Sequence, residues 1–291
     1  MQRVERFGQE SERARVQSTA LREFWERLPV WCNVCMTLLH VSSALTFATP
    51  PRYSALGTAA FPLFWVVLYY RVGRKPVERP GATQVVALSA TAAAIALLSW
   101  AASRLAWNPA DPSSLRLPFE LIAIAWAVVL FLHCLRDRGW RVVAVFFLGA
   151  GLYALMLENI GIALGYFRES GYHLYVPFTA VPLAVVAGWC TVFYPCAYIG
   201  EALAMRFPAA MRFGGLPVAL GIAAIALSTD LHFDPVATVL GLWNWDERLP
   251  SFFLGVPLVN FTSWFAAVFG FAAVYVYVER RRLASAIARG L

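Results

Sequence analysis

Eight apolar segments, separated by short polar stretches, are the sequence feature that most constrains the fold of this chain. Each is about as long as the 17–25 residues that an α-helix needs to cross a bilayer. The segments are residues 30–49, 54–71, 83–103, 118–135, 141–164, 174–199, 213–231 and 253–279. Hydrophobic residues make up 60% of the chain and charged residues 14%, whereas soluble domains average about 45–50% and about 25%. The pattern therefore predicts an all-α, polytopic membrane helical bundle with about eight transmembrane helices.

The 24 Lys and Arg residues predict how the bundle is oriented in the membrane. Five of the 24 fall in loops on one side, namely Arg52, Arg104, Arg116, Arg168 and Arg248. The other 19 fall on the opposite side, which includes both termini. Because basic residues accumulate in cytoplasmic loops, we expect a multi-pass protein of a bacterial inner membrane with both termini in the cytoplasm. The same distribution accounts for the net charge of +7 without a nucleic-acid partner.

The chain divides into three predicted regions. Residues 1–28 form a polar N-terminal leader, residues 29–282 form one transmembrane helical domain, and residues 283–291 form a cytoplasmic tail. Within the leader, residues 21–28 have the pattern of an amphipathic helix that lies on the membrane surface. The alternative interpretation is that the leader is surrounded by solvent and simply precedes the first span.

Polar side chains inside the apolar segments are the strongest indication of function. An ionisable residue at the centre of a span costs about 2.5–3.5 kcal/mol on insertion scales. With the orientation above, Glu158, Asn159, Asp230, Asp234 and Asn260 all fall near the outer side of the bilayer. These residues come from distant parts of the sequence, and their shared depth predicts a single site there.

Spacing along the chain refines this prediction. Glu158, Gly161 and Gly165 share one helix face, and the two glycines would let another helix approach beside the carboxylate. Asn260 and Trp264 also share a face. Asp234 precedes Pro235, which disfavours helix at that residue. We therefore expect the seventh span to end there and Asp234 to lie in a turn.

Structural roles are the alternative for each of these residues. Asp230 and Glu158 would then be buried hydrogen-bonding groups, Asn260 would join two helices, and Asp234 would cap a turn. The tryptophans would form an aromatic belt at the membrane interface.

The sequence predicts neither a metal site nor a cofactor. Cys32 and Cys35 form one CxxC pair, whereas a structural zinc site needs a second pair of ligands. We interpret all five cysteines as small apolar residues. The four histidines, His40, His133, His173 and His232, have no ligand spacing such as HxxxH. Nucleotide-binding glycine loops are also absent from the sequence.

Three stretches of the sequence resemble a known family. They are residues 230–245 (DLHFDPVATVLGLWNW), residues 255–265 (GVPLVNFTSWF) and the stretch from Glu158 to Tyr175. Over roughly residues 30–280, the chain resembles the integral-membrane carotenoid biosynthesis family that includes carotenoid 1,2-hydratases and bisanhydrobacterioruberin hydratases. The resemblance implies a cofactor-independent hydro-lyase that adds water to the terminal C1–C2 double bond of an acyclic carotenoid end.

That reaction suggests roles for the predicted residues. Asp230 or Glu158 would donate the proton, and Asp234 and Asn260 would orient the water. The aromatic rings of Trp243, Trp245 and Trp264 would stabilise a carbocation. The other predicted substrate-binding residues are Phe261, Tyr172, Tyr175, Asn159, Gly161 and Gly165.

The predicted partners follow from the same hypothesis. They are a carotenoid or other long isoprenoid that enters sideways from the lipid, the membrane lipids themselves, and other pigment-pathway or pigment-binding membrane proteins. Two alternative functions use the same apolar groove. One is a non-catalytic subunit that binds a carotenoid or isoprenoid, and the other is a cofactor-free isomerase of polyenes or lipids.

Overall fold

The structure, a computed structural model, describes residues 23–47, 57–73, 116–169 and 171–288. In this part of the chain, five helices are long and apolar enough to cross a membrane. This finding confirms a mostly helical chain with several helices that could cross a membrane, while the count of eight spans and the orientation of the termini stay predictions. The third predicted span, residues 83–103, lies outside the described residues.

Seven helices make up the described bundle. Two of them precede the gap, α1 (Leu28–Phe47) and α2 (Ala60–Leu68), and α2 continues into a π-helical turn, Tyr69–Gly73. The five long helices are α3 (Arg116–Arg138), α4 (Trp140–Ala163), α5 (Leu183–Ala204), α6 (Leu216–Val239) and α7 (Leu258–Ala288). Part of α4, Ala144–Gly149, is π-helical, and a 3₁₀ segment, Pro208–Gly215, leads into α6.

Helix α5 is the centre of the bundle. In its most apolar window 67% of the residues are buried, whereas the other four long helices reach 28–39%. It packs against α1, α3, α4 and α6. Pro195 lies inside α5, and such a residue is tolerated within a membrane because neighbouring groups satisfy the freed carbonyl.

Gly200 allows the close approach of α5 and α6. A Cβ atom at this position would lie 2.5 Å from Cγ1 of Ile222 on α6. We therefore expect Gly200→Ala to lower the free energy of unfolding by about 1–3 kcal/mol, the usual cost of overpacking. Thermal unfolding in detergent measures the change. Gly221→Ala on α6 is the matched control, because a Cβ there meets nothing within 4 Å; equal stability of the two variants would contradict this account.

Two short antiparallel pairs of strands close one end of the bundle. Strand β1 (Phe167–Arg168) pairs with β2 (Asn244–Trp245), with Phe167 opposite Trp245. Strand β3 (Ser251–Phe253) pairs with β4 (Val256–Pro257). These strands lie at the end where α3 and α7 begin and α4 and α6 finish, which we call the site end. The opposite end, where α3 finishes with Arg136 and Arg138, is the basic end.

Several predicted helix boundaries differ from the structure. The eighth predicted segment, residues 253–279, corresponds to α7, Leu258–Ala288, and two other differences involve proline. Helix α6 continues through Pro235 to Val239, so the prediction that the span ends before Pro235 and leaves Asp234 in a turn is wrong. A proline removes one backbone donor but does not end a helix whose flanks are packed. Conversely, the sixth predicted segment begins at residue 174, whereas α5 begins at Leu183 after the extended residue Pro182.

The described part of the leader packs against the basic end. Residues 23–26 are helical. The Trp25 ring lies 5.8 Å from the His133 ring, and the hydroxyl of Tyr198 donates a hydrogen bond to the Glu26 carbonyl oxygen at 2.5 Å. Protein contacts therefore hold Trp25 and Glu26 at this end of the bundle. The remainder of the predicted amphipathic stretch includes Leu21 and Arg22, which lie outside the described residues.

Candidate active site

A cavity at the site end is lined mainly by apolar side chains. Its volume is about 110 Å³, and helices α1, α3, α4, α5, α6 and α7 all contribute to its wall. On α5 the lining residues run from Val185 to Cys196, which corresponds to about 16 Å of helix. The cavity is therefore elongated along the bundle.

Three of the predicted polar residues form one hydrogen-bonded group. The Nδ2 atom of Asn260 on α7 donates to Oδ2 of Asp234 at 2.5 Å. The same atom lies 3.1 Å from Oδ2 of Asp230, one helical turn earlier on α6. Asp234 and Asn260 line the cavity, whereas Asp230 is fully buried and does not. The continuous helix through Pro235 places both carboxyl groups on the face of α6 that meets α7.

Glu158 lies in the same cavity and has a different partner. The indole Nε1 of Trp189 on α5 donates to Oε1 of Glu158 at 2.5 Å. The Trp189 ring stacks on Trp264, with ring centroids 4.1 Å apart and planes inclined by 22°. All three residues line the cavity, so one carboxyl group stands beside two stacked indole rings.

Aromatic side chains complete the wall near the strands. Trp243 and Trp245 both line the cavity, as do Phe119 and Phe233. The Trp243 ring lies 5.3 Å from the Phe233 ring and 6.5 Å from the Phe119 ring. The Nε1 atom of Trp245 donates to Oγ1 of Thr238 at 3.0 Å. The three predicted cation-stabilising tryptophans thus all face one space.

Glu169 is a carboxyl group of this site that the sequence reasoning missed. It follows β1 in the loop after α4, and only 9% of the residue is exposed. It lines the cavity, and its Oε2 atom is buried without a hydrogen-bond partner. Burial, together with the nearby carboxyl groups of Glu158 and Asp234, raises the pKa of Glu169 well above its usual range. Glu169 lies outside the apolar segments. The free-energy cost of placing a charged group within a span therefore does not apply to it, and the sequence does not single it out.

A second missed feature is the polar face of α1. Asn33, Thr37 and His40 line the cavity, with Oδ1 of Asn33 buried and without a partner. The His40 ring lies 5.6 Å from the ring of His232. His232 also lines the cavity, and its Nδ1 is 2.9 Å from Oγ1 of Thr58. The spacing i, i+4, i+7 of the three α1 residues was available in the sequence as a signal.

The two predicted tyrosines support the loop around Glu169 rather than line the cavity. The Tyr172 hydroxyl donates to the Leu242 carbonyl oxygen at 2.9 Å. The Tyr175 hydroxyl accepts from the Tyr172 backbone N–H and lies 3.3 Å from the Glu169 carbonyl oxygen, to which it donates. Glu120 on α3 fixes the following residues by accepting the backbone N–H groups of His173 and Leu174, at 2.8 and 2.9 Å.

Four other predicted residues also lie outside the cavity wall. Asn159 donates to the carbonyl of Leu155 within its own helix, and Phe261 packs near the rings of Phe252 and Phe253. The prediction that Gly161 and Gly165 admit a second helix is wrong. Gly161 is covered by the ring of Phe167, and Gly165 adopts a positive φ of 70° after the end of α4.

Among the residues that the structure describes, no group of three or more His, Cys, Asp or Glu side chains is placed to hold a metal ion. All five cysteines are free thiols.

Comparison with known proteins gives one match. Residues 119–289, more than half of the chain, match the model of a family described as carotenoid biosynthesis protein. The match begins within α3, later than the resemblance suggests, and it includes Glu158, Glu169, Asp230, Asp234 and Asn260. No curated protein and no solved structure shows significant similarity to the chain.

Proposed function

Because this chain belongs to the carotenoid biosynthesis protein family, we propose that it is a hydratase for the terminal C1–C2 double bond of an acyclic carotenoid end. One observation carries the proposal. The carboxyl groups of Glu158, Glu169 and Asp234 face a mainly apolar cavity whose wall also presents tryptophan rings. An apolar cavity suits a polyene, and carboxyl groups are among the protein groups that transfer protons to and from carbon and water.

The proposed reaction needs only a proton and a water molecule. An acid protonates C2, the π electrons form the new C–H bond, and a tertiary cation is left at C1. Water then forms the C1–O bond and loses a proton to a nearby base. Aromatic faces within about 6 Å stabilise such a cation by about 0.5–2 kcal/mol each, and Trp243, Trp245 and Trp264 are among the rings in the cavity wall.

Glu158 is the better placed of the two predicted proton donors. It lines the cavity, whereas Asp230 does not and lies behind Asn260 and Asp234. The hydrogen bond from Trp189 holds Oε1 of Glu158 and leaves its second oxygen to carry the proton. In this assignment Asp230 is a positioning residue that holds Asn260.

Asp234 and Asn260 are the groups proposed to handle the water. The Asn260 amide holds one oxygen of Asp234, which leaves the other oxygen to accept a proton from the attacking water. A water between Asp234 and the cation would then be both oriented and deprotonated by one carboxylate.

Product analysis in a bacterial host that accumulates lycopene or γ-carotene tests this proposal. We expect expression of the chain to produce a pigment heavier by one water molecule, detected by mass spectrometry. The same host without the chain is the control. An unchanged pigment that co-purifies with the protein would support the binding-subunit alternative instead. A product with the mass of its substrate would support the isomerase alternative.

A further inference from the structure

After one turnover of the proposed hydration, two carboxyl groups of the active site are not in their starting protonation states. The proton donor Glu158 ends a turnover ionised, while Asp234 ends it protonated. The reaction consumes no net proton, so the site is restored when one proton moves from Asp234 back to Glu158. Both groups are buried, and the route by which this proton returns therefore matters for the rate of turnover.

Glu169 is placed to carry this proton. It lines the same cavity as Glu158 and Asp234, and both of these carboxyl groups act electrostatically on it. Its Oε2 atom is buried and has no hydrogen-bond partner. An unpaired buried carboxyl oxygen is costly, and its retention beside two other acids suggests a function.

We propose that Glu169 returns the proton from Asp234 to Glu158 after each turnover, an inference that rests on the proposed hydration. Protonated Glu169 gives its proton to the Glu158 carboxylate and then receives the proton that Asp234 took from water. Each transfer breaks one O–H bond and forms another, so the three carboxyl groups end in their starting states. Glu169 never transfers a proton to the substrate carbon, and it differs in this respect from the donor Glu158.

The environment of Glu169 suits this role. Burial and the charges of Glu158 and Asp234 raise its pKa, which favours the protonated form of the group. Among the described residues, Tyr172 also interacts electrostatically with Glu169. Tyr175 bonds the Glu169 backbone carbonyl, and Arg116 of α3 lies over the Tyr172 ring. A raised pKa keeps the protonated form up to that pKa, and we expect the steady-state rate to fall as the pH rises through it.

The test compares a single turnover with repeated turnovers of Glu169→Gln in detergent micelles with lycopene as the substrate. With enzyme in excess, we expect the variant to form product at close to the wild-type rate. With substrate in excess, we expect its rate to fall by about tenfold or more after one equivalent of product, because the proton return is slow. Glu169→Asp should recover part of the steady-state rate. Glu247→Gln is the matched control, since Glu247 lies in the loop after β2 and is exposed.

Other outcomes separate the two proposals. Unchanged steady-state turnover in Glu169→Gln would overturn the proton-return role, and so would loss of the first turnover in a correctly folded variant. Failure of the wild-type chain to hydrate any acyclic carotenoid would overturn the proposed function itself. Thermal unfolding of each variant shows whether it is folded.

Discussion

Asp234→Asn is expected to lower the rate of product formation by about 10²–10⁴-fold, the usual contribution of a general acid or base. Asparagine has nearly the same size as aspartate, so the contact with Asn260 and the packing of α6 are retained. The lost property is the ability to accept a proton from water. Rates are compared by the amount of hydrated pigment per amount of folded protein.

Glu158→Gln is expected to have an effect of the same order, because an amide cannot donate the proton to carbon. Asp230→Asn should have a smaller effect, since Asp230 does not line the cavity and acts through Asn260. Glu247→Gln again serves as the exposed control and should leave the rate unchanged. A larger loss in Asp230→Asn than in both other variants would reverse the assignment of the donor.

The sequence was sufficient to predict the helical bundle and much of the site. Apolar segments of bilayer length require helices, because a backbone in lipid must satisfy its own hydrogen bonds. The same physics made Glu158, Asp234 and Asn260 conspicuous, since polar groups in such segments are expensive. The structure places all three in one cavity, as their shared depth predicts.

The features that could not be predicted from the sequence escaped prediction for different physical reasons. Glu169 lies in a loop, where a carboxylate has no cost that would single it out, and only the tertiary fold buries it. The prediction that the helix ends before Pro235 rests only on the local preference of the residue that precedes a proline. Hydrogen bonding of Asp234 to Asn260 across the α6–α7 contact is a tertiary interaction, and the residues next to Pro235 carry no information about it.

Glu201 lies at the basic end, away from the candidate site. We expect the loss of its partner Arg138 to have a large effect on stability. Its side chain is only 2% exposed, and one oxygen accepts a hydrogen bond from Nη1 of Arg138 at 2.8 Å. The Tyr275 hydroxyl donates to the other oxygen, and Arg282 lies 3.6 Å away. Helices α3, α5 and α7 therefore meet at one buried carboxylate.

Arg138→Met is expected to lower the free energy of unfolding by about 3–5 kcal/mol, because it removes a charged partner of the buried Glu201 carboxylate. Arg282 and Tyr275 still contact Glu201, so the lower end of that range is expected. Adding Glu201→Gln to Arg138→Met should restore much of the loss, since the double variant buries no unpaired charge. Denaturation in detergent measures both changes, and Arg138→Met should still hydrate its substrate while it remains folded.

Arg141→Met is the matched control for this prediction. Arg141 pairs with Glu279 at 2.8 Å, and the Arg141 side chain is 72% exposed whereas that of Glu279 is 6% exposed. Solvent therefore screens the arginine end of this pair. Glu279 also keeps its contact with Arg282 at 2.7 Å, so little stability should be lost. If Arg138→Met and Arg141→Met were equally stable, the buried carboxylate of Glu201 would not be what holds the basic ends of α3, α5 and α7 together.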